Sequence, residues 1–498
     1  MSTWCGVIDH RWPGSFQDEA FIDYLIDGCL PFIELAQQLG RAYGQVPLTY
    51  CLSPRLLDGL TRKAVRARLV RRFEARARCL ESLLDSVDIE ARSILRDDLN
   101  RLSRLRGVFE GCDGHLIRAY RTLHDEYALA LITAPAHHVQ LPTLMAMPGA
   151  VQAQIGLAVR LFEAYLGFAP DGIHLVGAGF TPSLEPILAT YGLSFMVIDP
   201  HAFQSGSATT VFDVYAPIQT PNHRIVAFAP DAQSAFAGQG SPSLHAEYRR
   251  MASHGHRLAV QADEMVVGLS SYGASDGPSE RYCPQRAQDS IRRHARAYVH
   301  DRQRHGQALE SQMTQSPVFV ADFRLAELAE NWLEAPRFFA EVIHQIQGCA
   351  GVNALPVAET LNERIGQQVM WPGPVVHDHG HDRWAPLRWP RLFQGFAHLH
   401  RSMKRSDLSE AQLDALTIAA RHLFAALDLP SSQPRDSHRQ HAQLIRMCQH
   451  VQYAIEVLRG SVDQRPGTNP NDAVNPPDFD DFGGDYLIRF DARTLLSQ

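Results

Sequence analysis

The 498-residue chain carries eight cysteines but no C-x-x-C pair, which removes zinc-ribbon and thioredoxin-like readings. Cys5, Cys29, Cys51, Cys79, Cys112, Cys283, Cys349 and Cys448 lie far apart, the pattern of reduced, buried thiols in cytosol. No apolar run approaches the roughly 20 residues that a membrane-spanning helix needs. Residues 1–16 lack the basic-then-apolar pattern of a secretory signal. Basic charge is not in excess either. Lys and Arg number 47 against 54 Asp and Glu, giving a net charge of −7, which argues against a nucleic-acid partner. Lysine is almost missing, with Lys63 and Lys404 the only two. The arginine that replaces it reads as coding bias rather than phosphate recognition. No Gly-rich phosphate loop and no internal repeat occur. The expectation is a soluble cytoplasmic protein with no cofactor and with neither nucleic acid nor membrane as partner.

Hydrophobic residues make up 45% of the chain, enough for a large core. Short apolar, β-rich runs at 5–8, 46–52, 128–133, 172–176, 193–198, 224–228 and 318–321 are separated by longer helical segments. Such alternation marks parallel strands joined by crossover helices. Seven runs predict an α/β fold, an incomplete (β/α)7 TIM-like barrel, although an open doubly wound sheet also fits. In a barrel the working residues sit at the C-terminal strand ends. The expected organisation is a barrel over 1–350 with a helical insertion near 55–125. A connecting region follows over 351–390, a C-terminal helical bundle over 391–460, and an acidic, proline-containing tail over 461–498. Residues 204–207 and 235–243, rich in Gly and Ser, read as loops.

Between residues 56 and 106 arginines recur on a helical pattern. Arg66, Arg68, Arg71, Arg72, Arg76 and Arg78 are read as a solvated face, because Glu74, Glu81 and Asp85 are interspersed. The segment from His377 to Asp382 alternates histidine and aspartate, both good ligands for zinc-like ions. In a Pro/Gly-rich loop of a chain with 24 histidines it reads as an exposed cluster, and no metal is expected.

Several segments resemble glycoside hydrolase family 57, especially its α-1,4-glucan branching enzymes. They are Thr49-Tyr-Cys-Leu-Ser-Pro-Arg-Leu-Leu57, Ala128-Leu-Ala-Leu-Ile-Thr133 with His138 and Leu141-Pro142, Val151-Gln-Ala-Gln-Ile155, Gly172-Ile-His-Leu175 through Pro182, Ile198-Asp199-Pro-His201, Phe228-Ala-Pro-Asp231, and Pro317 through Pro336. Each alone is weak; their order and spacing carry the resemblance.

The resemblance implies a retaining mechanism with a glutamate nucleophile and an aspartate acid/base, held about 5–5.5 Å apart. The matching nucleophile position is Gly177, within Leu175-Val-Gly-Ala-Gly-Phe180, and the matching acid/base position is Arg324. Glycine offers no nucleophile, and a permanently protonated guanidinium is no general acid. The first-strand segment is also altered, to Asp9-His10-Arg11-Trp12-Pro13. His10, His138, Asp199, His201, Asp231, Asp322 and Trp332 remain as candidates to bind substrate. For Asp199 and His201 the alternative is a turn or helix cap, and for Trp332 a core position. Asp322 and Arg324 share a strand face by period two, which predicts an internal salt bridge. The implied ligand is a polysaccharide or oligosaccharide, α-glucan or an acidic glycan, and a partner enzyme is a further expectation. The functions open are a glycan-binding or regulatory pseudoenzyme, an active glycosidase or branching glycosyltransferase using Asp322, Asp199, Asp231 or Glu185, and a structural subunit with a closed cleft.

Overall fold

In a computed structural model, the described residues are 1–12, 16, 19–85, 87–208, 210–231, 233, 248, 282–361, 368–375, 385–403, 405–427 and 434–460. The His377–Asp382 cluster, the 235–243 loop and the tail beyond residue 460 lie outside them. The strands are β1 (Ser2–Asp9), β2 (Leu48–Cys51), β3 (Ala130–Ile132), β4 (Gly172–His174), β5 (Phe195–Val197), β6 (Ile218–Gln219), β7 (Val226–Phe228), β8 (Val318–Arg324), β9 (Val352–Ala354) and β10 (Gln368–Val369).

Seven of them form a closed parallel ring. β3-β2-β1-β8 run side by side, as do β7-β5-β4. Single parallel bridges, Thr133 to Ile173 and Pro230 to Val320, join the two arcs. The expected seven runs are the seven ring strands. β9 pairs with the first residues of β1, while β6 and β10 form a small outer ribbon on β7.

Period-two alternation explains the packing. On β1, Cys5 and Val7 point into the ring while Trp4 and Ile8 face the helices outside. Val318 and Val320 of β8, Phe195 and Val197 of β5, and Val226 and Phe228 of β7 complete the apolar interior. Both faces of each strand are buried, as a helix-wrapped parallel sheet requires.

The helix Leu30–Tyr43 shows how the outer layer is built. Its buried stripe includes Phe32, Leu35, Ala36 and Leu39, and it stops at Gly44, whose φ of 77° suits glycine. The helix Pro54–Thr61 starts because Ser53 accepts the Leu56 N–H and Pro54 takes the first turn. Helices Ala385–Met403, Glu410–Leu427 and Pro434–Arg459 form the C-terminal unit. Leu392, Leu416, Leu423 and Met447 share one core with Ile173, Leu175 and Met196 on the outside of the ring. No described helix is long and apolar enough to cross a membrane.

The arginine-rich helix Lys63–Leu84 departs in part from the expected solvated face: Arg71 and Arg78 are exposed, but others are tied inward. Arg68 pairs with Glu19, Arg72 and Arg76 with Asp23, and Arg76 also with Asp27, which meets Arg101 from the helix Ile89–Gly111 as well. These arginines fasten the insertion to the first helices of the barrel. Such pairing joins residues about 50 positions apart, so spacing within one helix could not reveal it. Burial raises the Asp27 pKa, but Arg76 and Arg101 override it and hold the carboxyl at about 2. Asp27→Ala should lower the unfolding free energy by about 2 kcal/mol in urea titration, the scale of charged hydrogen bonds. The loss is moderated because Arg76 keeps Asp23.

Candidate functional site

The inward positions of the ring are mostly apolar, but toward the C-terminal ends of four strands they turn polar: Asp9 on β1, Cys51 on β2, His174 on β4 and Asp322 on β8. Ligating atoms of Asp9, Cys51 and His174, all buried, lie within 4.8 Å of one another. His174 Nε2 is 2.9 Å from Asp322 Oδ1. The Cys51 thiol faces the Thr133 carbonyl oxygen at 3.6 Å, and burial pushes its pKa well above the usual value.

Arg11 covers this layer. Its Nε donates to both Asp9 oxygens at 2.9 and 2.8 Å, and its Nη2 lies 2.6 Å from Oδ2. Nη2 also donates to the Val176 carbonyl at 2.9 Å, so the side chain crosses from the end of β1 to the loop after β4. The Asp9 side chain is 2% exposed and that of Arg11 18%. Burial would raise the Asp9 pKa; the charges of Arg11 and His174 outweigh it and hold the carboxyl at about 2.

Gly177 follows Val176 directly. Its φ is 77°, and a Cβ built there would meet nothing within 4 Å. Its N–H donates to Asp199 Oδ2 at 3.1 Å, and its carbonyl accepts from Gln140 Nε2 at 2.9 Å. The loop is therefore fixed on both sides of the Gly177 Cα, in a conformation that favours glycine. Arg324 is the register partner of Asp9 at the same end of the ring. The two matched positions thus stand on one face of the barrel.

The predicted Asp322–Arg324 pair does not form. Asp322 turns inward to His174, and Arg324, 68% exposed, pairs with Glu327 in the first turn of the following helix. Three further expectations change. His10 is fully buried, its ring 4.7 Å from that of Tyr50 and its Nδ1 3.1 Å from the Tyr120 hydroxyl. Trp332 is a core residue against Phe338 and Tyr248. Asp231 is buried and pairs with Arg302 at 2.8 Å. All three side chains are buried. Glu185, considered as a replacement nucleophile, is buried and held by the His223 N–H at 2.7 Å. His138 is half-buried in the loop after β3, and His201 is exposed at the start of a short helix. Asp199 ties that helix to the Gly177 loop, its carbonyl accepting the Ala202 N–H. Asp199 and Asp322 are thus the candidate carboxylates left at the mouth.

Arg11, Cys51 and His174 were not singled out from sequence. Counting by two from the apolar inward residues to the end of each strand would have found Cys51 and His174. Arg11 lies beyond its strand and carries no such signal.

The sequence profile of glycosyl hydrolase family 57 matches residues 73–233. Over that segment the chain is similar to family 57. It is 22% identical to a 1,4-alpha-glucan branching enzyme of Thermococcus kodakarensis, over 95% of this chain and 77% of that enzyme. The fold matches the alpha-amylase AmyC of Thermotoga maritima with a TM-score of 0.82 at 18% identity, covering 93% of this chain and 94% of that one. It also matches a GH57-type branching enzyme of Pyrococcus horikoshii with a TM-score of 0.77 at 15% identity, covering 93% and 92%.

Proposed function

We propose that this family 57 relative binds an α-glucan or a related glycan without cleaving it, as a carbohydrate-binding or regulatory protein beside a partner enzyme. The observation that carries the reading is the state of the strand-end face. The position matched to the nucleophile is a glycine in a left-handed loop, and the one matched to the acid/base is an exposed arginine paired with Glu327. Double displacement needs a carboxylate at each. The test is an amylose and maltooligosaccharide assay for hydrolysis and branching, with no turnover expected above a no-enzyme control. Gly177→Glu should not restore turnover, because the acid is still missing. It should cost about 1–2 kcal/mol of stability, since a non-glycine residue would occupy a left-handed backbone.

A second reading has one observation in its favour: Asp322, 9% exposed and oriented by His174, stays a carboxylate near the vacated acid position. In that reading Asp322 and Asp199 work as a relocated pair, and wild-type turnover disappears in Asp322→Asn. The closed-cleft reading draws on Arg11 spanning the mouth, and predicts no glycan binding by calorimetry.

A further inference from the structure

Asp9, Cys51 and His174 come from three strands and offer a carboxylate, a thiol and an imidazole. Tetrahedral zinc, with bonds of roughly 2.0–2.3 Å, would place such ligand atoms about 3.3–3.7 Å apart. Ligating atoms already within 4.8 Å of one another need only a small contraction. His174 supplies a second, independent observation. Its ring is fully buried; Nε2 meets Asp322 while Nδ1 has no hydrogen-bond partner. A histidine held through one nitrogen by a carboxylate, with the other nitrogen free, is how proteins orient an imidazole toward a metal.

Charge points the same way. The buried layer holds two carboxyl groups, on Asp9 and Asp322, against one guanidinium, on Arg11, an acidic excess that a divalent ion would offset. Arg11 presents three N–H groups to Asp9, its backbone N–H at 3.1 Å, Nε and Nη2, which leaves one of a carboxylate's roughly four lone-pair directions for an ion. Arg11 and Asp322, with side chains 18% and 9% exposed, lie between the cluster and solvent and mark the way in.

We propose that Asp9, Cys51 and His174 form a mononuclear site for a zinc-class divalent ion, with the fourth position left to water. The donor set of thiolate, imidazole and carboxylate selects zinc and similar ions over calcium or magnesium. This inference does not depend on glycan binding, and its test contains no glycan.

The probe is cobalt(II), titrated into chelator-treated full-length protein and displaced by zinc. One ion per chain is expected, with a thiolate-to-cobalt charge-transfer band in the near ultraviolet. Release of the Cys51 proton should make the affinity rise about tenfold per pH unit below the thiol's pKa. The band should vanish in Cys51→Ser and persist in Cys29→Ser. In Asp322→Asn the affinity should fall about 10- to 100-fold, as for loss of a carboxylate that orients a metal-bound histidine. Circular dichroism identifies variants that are folded, and the wild-type titration stands without them. No band in wild type overturns the site, as does a band that survives in folded Cys51→Ser.

Discussion

Arg11→Ala is expected to lower the unfolding free energy by about 3–5 kcal/mol, the penalty for leaving a buried charge without its partner. The variant removes every guanidinium contact to a carboxylate that is 2% exposed. It also frees the Val176 carbonyl. Without Arg11, burial weighs more heavily and the Asp9 carboxyl should move up from about 2. Urea titration at pH 7 measures the loss. The double variant Asp9→Asn, Arg11→Ala should lose clearly less than the sum of its single changes, because it leaves no unpaired charge. A single-variant loss below about 1 kcal/mol would show that solvent already screens the pair.

The ring was legible because each strand is buried on both faces, so each appears as a short apolar run with polar, helix-rich sequence between. The polar layer was not. Asp9, Cys51, His174 and Asp322 belong to four strands, and His174 and Asp322 are 148 residues apart. A contact across the barrel leaves no local spacing to read. The Arg324 expectation failed for a related reason. Period two places Asp322 and Arg324 on one strand face, but β8 ends at Arg324, where the guanidinium is free to turn toward Glu327. Asp322, one step deeper, meets the interior instead. Trp332 and His10 were selected by matching segments to family 57, and matched segments do not distinguish a cleft wall from the core behind it.

Burial also makes His10 a source of acid sensitivity. The ring sits between Tyr50 and Tyr120 with no exposed surface, and burial pulls its pKa down to about 3 despite the neighbouring Asp9 charge. In the unfolded chain a histidine titrates near 6.5. Between these values the unfolded state binds a proton that the folded state does not, so stability must fall as the pH falls from 6.5 toward 3. From pH 6.5 to pH 4 this one group should remove about 3 kcal/mol, at 1.36 kcal/mol per pH unit. Asp9 and Asp27 act in a different window. Their folded values of about 2 lie below the ordinary aspartate value of 3.8, so their contribution is fully present above 3.8 and is lost as the pH falls through about 2. The two windows separate the causes. Urea midpoints measured from pH 7 to pH 4 should drop steadily in wild type and much less in His10→Gln, which keeps a polar group near Tyr120 but has no proton to gain. An equal slope in both proteins would assign the acid sensitivity to other histidines, among which His450, lowered to about 4 mainly by burial, is the next to vary.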